Sequence, residues 1–579
     1  ETFGEDPVLS GTLGASMVDG LGGGNLSQKY ATIATLKHFL AYAVPEGGQN
    51  GNYASVGIRD LHQNFLPPFR KAIDAGALSV MTSYNSIDGI PCTSNHYLLT
   101  QLLRNEWKFR GFVVSDLYSI EGIHESHFVA PTKENAAIQS VTAGVDVDLG
   151  GDAYTNLCHA VQSGQMDKTV IDTAVCRVLR MKFEMGLFEH PYVDPKIAAK
   201  TVRRKEHIEL ARKIAQSSIT LLKNENSILP LSKTINKVAV IGPNADNRYN
   251  MLGDYTAPQE DSNVKTVLDG ILTKLSPFRV EYVRGCAIRD TTVNEIEQAI
   301  EAARRSEVVI VVVGGSSARD FKTSYKETGA AVAEEGSVSD MECGEGFDRA
   351  SLSLLGRQQE LLESLQKTGK PLIVVYIEGR PLEKNWASEY ADALLTAYYP
   401  GQEGGNAIAD VLFGDYNPSG RLPISVPRSV GQIPVYYNKK APRNHDYVEV
   451  SSSPLYSFGY GMSYTTFEYS DLQVVQKSAR CFEVSFKVKN TGKYDGEEVS
   501  QLYMRDEYAS VVQPMKQLKH FERFHLKKGE EKKVTFVLTE EDFFLVNYTL
   551  KKVVESGTFQ VMIGSSSDDI RLEKSISVE

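Results

Sequence analysis

The chain contains no apolar run approaching about 18 residues, so its hydropathy calls for no membrane-spanning helix. It also lacks a basic stripe. Lys and Arg number 62 against 73 Asp and Glu, and the formal net charge of −11 argues against a nucleic-acid partner. The six cysteines (Cys92, Cys158, Cys176, Cys286, Cys343 and Cys481) stand singly without CxxC spacing, and read as neither a disulfide framework nor a zinc site. No GxxxxGK[ST] occurs, and the Gly-rich "VVVGGSS" is not a GxGxxG fingerprint, so no nucleotide cofactor is called for. His124 and His127 in "IHESH" have metal-ligand spacing for a turn, but no HExxH pattern or third ligand accompanies them, and no metal is expected. There are no internal repeats and no low-complexity tracts.

At 579 residues the chain exceeds one core and suggests three or four domains. From about residue 30 to 190 short apolar strands alternate with helical patterns: "ATIATLKHF", "LHQNFLPPFRKAIDAG", "ALSVMTSYN", "HYLLTQLLRNEW", "GFVVSDL", "KENAAIQSVTAG" and "VDVDLG". That spacing predicts βα units on a parallel sheet. A second α/β region opens with "HIELARKIAQSSITLLKNEN", read as a helix, and continues with the strands "KVAVIGPNA", "SEVVIVVVGG", "KPLIVVYIEG" and "DALLTAYYPG". Strands this apolar are covered on both faces of an open sheet. After about residue 465, "CFEVSFKVKNTG", "SQLYMRDE", "KKVTFVLTE" and "GTFQVMIGSS" alternate apolar and polar residues, which predicts an antiparallel β-sandwich of immunoglobulin-like type. The opening "ETFGEDPVLSG" reads as neither a signal peptide nor the start of a helix or strand, so the chain is expected to begin inside a domain.

In the first region the strands end in polar residues: Lys37 and His38, then Ser83, Tyr84 and Asn85, then Ser115 and Asp116, then Asp146 and Asp148. An Asp after one buried strand is as well read as a helix cap. Four such ends on one face point to a site, because catalytic groups of parallel α/β barrels come from the carboxyl ends of strands. A second carboxylate is sought in the long polar insertion between the strand near 308–313 and the helix near 352, since loops of that length inside compact domains tend to be functional. There "GEGFDR" sets Glu345 between two glycines, followed by Asp348 and Arg349. A solvated acidic loop is the competing reading. Two carboxylates from separate domains facing a cleft suit a nucleophile and a general acid about 5–5.5 Å apart, the arrangement of retaining glycosidases. Lys37 would favour the ionised form of Asp116, while Glu345 needs a raised pKa.

With both carboxylates placed, the chain resembles glycoside hydrolase family 3, the family of β-glucosidases and β-xylosidases. The motifs that carry the resemblance run the whole length: "FGEDP", "KHF", "FLPPF", "SVMTSYN", "VVSD", "AGVDVDL", "MGLFEHPY", "LLKNENSILPL", "GEGFDR", "YYPGQEGGNAIADVLFGDYNPSGRLPIS" and "SFGYGMSYTTFEYS". The resemblance implies an α/β multidomain fold: a (β/α)8-type barrel over 1–192, N-terminally incomplete, a linker over 193–212, an α/β sandwich with a mostly parallel sheet over 213–445, and a C-terminal fibronectin type III-like β-sandwich with its preceding linker over 446–579. It implies Asp116 as nucleophile and Glu345 as acid/base, with Glu342 the alternative acid/base. Lys37, His38, Met81 and Tyr84 would bind or line the −1 sugar subsite, Tyr84 also steadying the nucleophile.

Two departures from the family pattern stand out. Leu117 follows Asp116 where many members have an aromatic residue, and the family's barrel begins upstream of "FGEDP". A branch that cleaves N-acetylglucosaminides carries a "KHFPGHG"-like loop, whereas "KHFLAYAVPEGG" lacks its second His.

The expected function is a retaining exo-acting β-glycosidase that hydrolyses terminal non-reducing β-D-glucosyl residues of plant-derived oligosaccharides. The alternatives are a β-D-xylosidase, toward which "SDL", His124 and His127 lean, and a catalytically impaired carbohydrate-binding remnant. No cofactor and no metal are implied. The partner is an oligosaccharide or aryl glycoside, with no nucleic acid, no membrane and homodimerisation left open. The expected location is periplasmic or extracellular.

Overall fold

The computed structural model describes residues 3–22, 25–257, 259–317, 340–440 and 445–579, with short strand pairs at 324–325 and 331–332. Two compact units divide the chain, Glu1–Ala198 with Thr549–Lys551 and Ala199–Tyr548 with Lys552–Glu579.

The first unit opens on helix α1 (Pro7–Gly22), against the expectation that no helix starts there. Asp6 is buried and caps it: its Oδ1 accepts the Leu9 N–H at 2.8 Å and its carbonyl the Ser10 N–H at 3.0 Å. Pro7 then supplies a first-turn φ at no cost in hydrogen bonds. The parallel sheet follows as β1 (Thr35–Phe39), β2 (Ser79–Thr82) and β3 (Phe112–Val114), in that spatial order, and a parallel bridge from Val114 to Val147 continues it. Between β2 and β3, the helical run Tyr97–Glu106 buries Leu98, Leu99, Leu102 and Leu103, one face at helical spacing. It joins Phe39, Val80, Val113, Ile120 and Ile123 in one core. Gly111 is required where β3 starts, because a Cβ there would lie 2.0 Å from the Leu78 carbonyl oxygen. Two helices carry open apolar rows at i, i+4, i+8 spacing: Leu13, Met17 and Leu21 on α1, and Val175, Leu179 and Phe183 on α2 (Lys168–Glu184).

The second unit holds a six-stranded sheet: β4 (Thr220–Asn224), β5 (Val238–Ile241), β6 (Val280–Val283), β7 (Val308–Gly314), β8 (Leu372–Ile377) and β9 (Ala393–Thr396), ordered β4-β9-β8-β7-β5-β6. Every pairing is parallel except β4 with β9. Alternate residues feed two cores: Val238, Val240, Ile310, Val312, Ile373 and Val375 on one face, Ala239, Ile241, Val309, Val311 and Val374 on the other. The sheet is thus covered on both sides, as its apolar runs require.

Two of these strands depart from the sequence reading. "HIELARKIAQSSITLLKNEN" is helical only over Lys205–Ser218, after which Thr220–Asn224 turns into the antiparallel edge. β6 was not expected at all.

Seven further strands form a sandwich. β10 (Phe467–Ser478), β11 (Cys481–Asn490) and β14 (Glu531–Leu538) make one antiparallel sheet. β13 (Gln517–Leu526), β12 (Gly496–Asp506), β15 (Gly557–Gly564) and β16 (Ile570–Val578) make the other. Phe482, Val484, Leu502, Phe536 and Val561 fill the space between them. Among the described residues no helix is long and apolar enough to cross a membrane.

Candidate active site

In the first unit the parallel register, Phe39 with Thr82 and Met81 with Val114, brings the C-terminal ends of β1, β2 and β3 level. His38, Met81, Tyr84 and Asp116 stand at these ends. β3 stops at Val114, the chain passes through Asp116 and Leu117, and Tyr118 takes a left-handed φ of 57° before the helix Ser119–Glu125 begins. A non-glycine residue in that region is uncommon and marks a turn fixed by its surroundings. Here the Tyr118 N–H donates to the Leu149 carbonyl at 3.1 Å, and the Ser119 N–H to the Asp116 carbonyl at 3.1 Å.

Asp116 is buried, and its Oδ1 accepts the Leu117 N–H at 2.8 Å. Its Oδ2 lies 3.4 Å from His38 Nε2. Burial, reinforced by the charge of Lys37, lowers the His38 pKa to about 3, so the ring is neutral and the contact is a long hydrogen-bond approach and not an ion pair. Tyr84 donates its hydroxyl to the Leu117 carbonyl at 2.9 Å, and its own carbonyl meets His127 Nε2 at 2.8 Å. Met81 is half-buried between buried Val80 and Thr82. Lys37 is exposed and, among the described residues, forms no ion pair with Asp116; its charge acts on His38.

Tyr42, which the sequence reading did not single out, belongs with these residues. Its ring centroid lies 4.7 Å from that of His38 and 6.1 Å from that of Tyr84. Its only sequence signal is its place four residues after His38.

The other strand ends turn out to be structural. Asp146 is fully buried between Arg104 (2.7 Å) and Arg177 (2.8 Å) and accepts the Val113 N–H at 2.8 Å, so it fastens the end of the sheet. Ser115 Oγ accepts the Leu149 N–H, and Ser83 and Asn85 both donate to the Leu40 carbonyl. Asp148 accepts the Tyr154 N–H at 3.2 Å, and its carboxyl is pushed up by burial. His124 Nδ1 pairs with the Ala130 carbonyl at 2.9 Å, and no cluster of His, Cys, Asp and Glu able to hold a metal occurs among the described residues.

In the second unit most of the Glu-rich insertion lies outside the described residues; its end is described and separates the two candidate acids. Glu342 is buried and ion-paired to Arg349 at 2.7 Å, its N–H donating to the Ser316 carbonyl at 2.9 Å. Glu345 is half-buried and sits between Gly344 (φ 120°) and Gly346 (φ 80°), with its carboxylate accepting the Tyr255 hydroxyl. Gly344 is needed there, since a Cβ would lie 2.8 Å from Asp254 Oδ2.

Comparison with known proteins accords with this architecture. The glycosyl hydrolase family 3 N-terminal domain model matches residues 1–181, the family 3 C-terminal domain model residues 219–464, and a fibronectin type III-like domain model residues 498–567. A β-xylosidase of Formosa agariphila is 39% identical, the alignment covering 99% of this chain and 79% of the relative. The periplasmic β-glucosidase of Salmonella typhimurium is 37% identical, over 99% of this chain and 77% of the relative. Among solved structures, a β-glucosidase from Erythrobacter marinus superposes with a TM-score of 0.91 at 36% identity, covering 99% of this chain and 78% of that one. A β-glucosidase from Listeria innocua in complex with laminaribiose gives 0.90 at 34%, over 99% and 78%. Two domain models in order and relatives this similar over nearly every residue leave one conclusion: the chain belongs to glycoside hydrolase family 3.

Proposed function

We propose that this chain is a retaining exo-acting β-glycosidase that removes terminal non-reducing β-D-glucosyl residues from plant-derived oligosaccharides, with Asp116 as nucleophile and Glu345 as general acid/base. The observation that carries the reading is the setting of Asp116: a buried carboxylate at the end of β3, bonded by its neighbour's N–H and facing a neutral imidazole at 3.4 Å. In the first step the Asp116 carboxylate attacks the anomeric carbon while Glu345 gives its proton to the departing glycosidic oxygen. In the second a water attacks that carbon, Glu345 takes the water's proton, and the Asp116–sugar bond breaks with its electron pair returning to the carboxylate. His38 and Lys37, Met81 and Tyr84 bind hydroxyls or line the subsite of the sugar being released. Water and two carboxylates suffice for this chemistry, which calls for no cofactor.

A β-D-xylosidase of the same mechanism is the second reading, favoured by the 39% identity to the Formosa agariphila β-xylosidase. The periplasmic relative supports a location in the periplasm or outside the cell. Hydrolysis of aryl β-glucoside and aryl β-xyloside, with proton NMR of the first-formed sugar, tests the proposal. A β-anomer released by this chain and not by Asp116→Asn supports it, and the ratio of the two rates ranks the two sugars. Sugar binding without turnover would make the chain a binding remnant and overturn it.

A further inference from the structure

Beside the "GEGFDR" segment runs a loop, residues 252–257, for which neither the fold nor the proposed chemistry has given a reason. It touches Glu345 twice. Tyr255 directs its hydroxyl to the Glu345 carboxylate, and Asp254 Oδ2 stands 3.4 Å from the Glu345 main-chain N–H. The loop is fixed for this purpose: Tyr255 takes a left-handed φ of 57°, and its own N–H donates back to Asp254 Oδ1 at 2.7 Å. Gly344 leaves the room through which Asp254 reaches the segment.

We infer that Asp254 and Tyr255 are positioning residues for Glu345, one holding its backbone and the other its carboxylate; the inference rests on the reading of Glu345 as the acid/base. The other titratable groups along the segment are Glu342, Asp348 and Arg349, with Arg380 from the loop after β8 and Cys343, whose thiol burial pushes up and keeps neutral. Glu342 is paired with Arg349, and Arg380 donates to the Phe347 carbonyl at 3.2 Å. The Tyr255 hydroxyl is a neutral donor aimed at the Glu345 carboxylate. A hydrogen bond to the ionised form favours that form, so the hydroxyl holds the Glu345 pKa down and fixes the rotamer from which the proton is delivered.

The test is titration of the Glu345 side-chain carboxyl by carbon-13 NMR in chain labelled at glutamate Cδ, the signal assigned by its loss in Glu345→Gln. Tyr255 is 59% exposed, so Tyr255→Phe removes one hydroxyl from a surface side chain and leaves the core alone. The variant is expected to raise the Glu345 pKa by about one unit, the scale of one hydrogen bond to an ionised group. The alkaline limb of the kcat/KM profile moves up with it, because the acid must be protonated to act. A titration that superimposes on that of the parent overturns the inference. The leaving-group dependence of Glu345→Ala separates the two claims. If that dependence is present while Tyr255→Phe leaves the titration unmoved, the positioning role alone fails; if it is absent, the acid/base reading fails and takes the catalytic meaning of the contact with it.

Discussion

Tyr84 reaches from the end of β2 to the end of β3 and donates its hydroxyl to the carbonyl oxygen of Leu117 at 2.9 Å, so the residue next to Asp116 is held by a side chain of the neighbouring strand. The backbone around Asp116 is thereby fixed from two sides, by the strand that carries it and by the ring beside it. Tyr84→Phe removes one hydrogen bond worth about 1 kcal/mol. The expected result is a fall in kcat of about fivefold with Tm nearly unchanged, measured on an aryl glycoside alongside thermal unfolding.

Glu342 and Glu345 answer differently to substitution because Glu342 is buried against the Arg349 guanidinium, whereas Glu345 is half-buried and accepts the Tyr255 hydroxyl. Glu345→Ala should slow substrates with poor leaving groups far more than those with good ones, and azide should restore part of the rate with good leaving groups, since azide needs no general base. Glu342→Ala leaves the Arg349 guanidinium buried without its partner. The expected cost is about 3–5 kcal/mol of stability, with equal loss on good and poor leaving groups.

Asp146 gives a stability result and not a catalytic one. Asp146→Ala leaves Arg104 buried without its carboxylate and strips an acceptor from the Val113 N–H, which should cost about 3–5 kcal/mol in urea unfolding. The KM of the fraction that remains folded should match that of the parent. A KM raised many-fold with stability unchanged would return Asp146 to the sugar site.

Asp506, at the end of β12 in the sandwich, gives a pH dependence of known sign. Burial, helped by the charge of Glu555, pushes its carboxyl up to about 6, although the Tyr508 N–H bonds it, and its Oδ1 has no hydrogen-bond partner among the described residues. A carboxyl with a folded pKa near 6 and an unfolded one of about 3.9 binds its proton more tightly when folded. It therefore weakens the fold above pH 6, and the penalty fades as pH falls from about 6 to about 4. Asp506→Asn should raise Tm at pH 7.5 and leave it unchanged near pH 4, as differential scanning calorimetry at the two pH values would read.

What the sequence made legible follows from burial. The run Phe112–Val114 and the strands β5, β7, β8 and β9 of the six-stranded sheet are buried or nearly so on both faces, so they appear as unbroken apolar stretches. β6 is an edge strand with half-exposed Val280, Glu281 and Val283, and such a strand leaves no apolar run to find. β4 was hidden for another reason: it follows its helix after one residue, with no Gly or Pro between, and Ile219, Leu221 and Leu222 continue the apolar content of the helix without a break.

At the site, Asp116 and Glu345 could be picked out because strand-end and glycine-flanked positions leave local marks. The partners could not. Asp146 stands among the polar strand ends in the sequence because Arg104 and Arg177, which pair with it, lie 42 and 31 residues away. Tyr255 is 90 residues from the carboxylate it touches, and Tyr42 carries no motif of its own. Asp6 and Pro7 were read for what "FGEDP" resembles and not as the cap and first turn of a helix.

The most direct measurement is covalent trapping at Asp116. The chain is incubated with a 2-fluoro aryl β-glycoside, whose second step is slow, then digested and mapped by mass spectrometry. One fluorosugar should appear on the peptide that contains Asp116, with none on Asp116→Asn and no hydrolysis by that variant. Label on another carboxylate, or turnover undiminished in Asp116→Asn, would contradict the account.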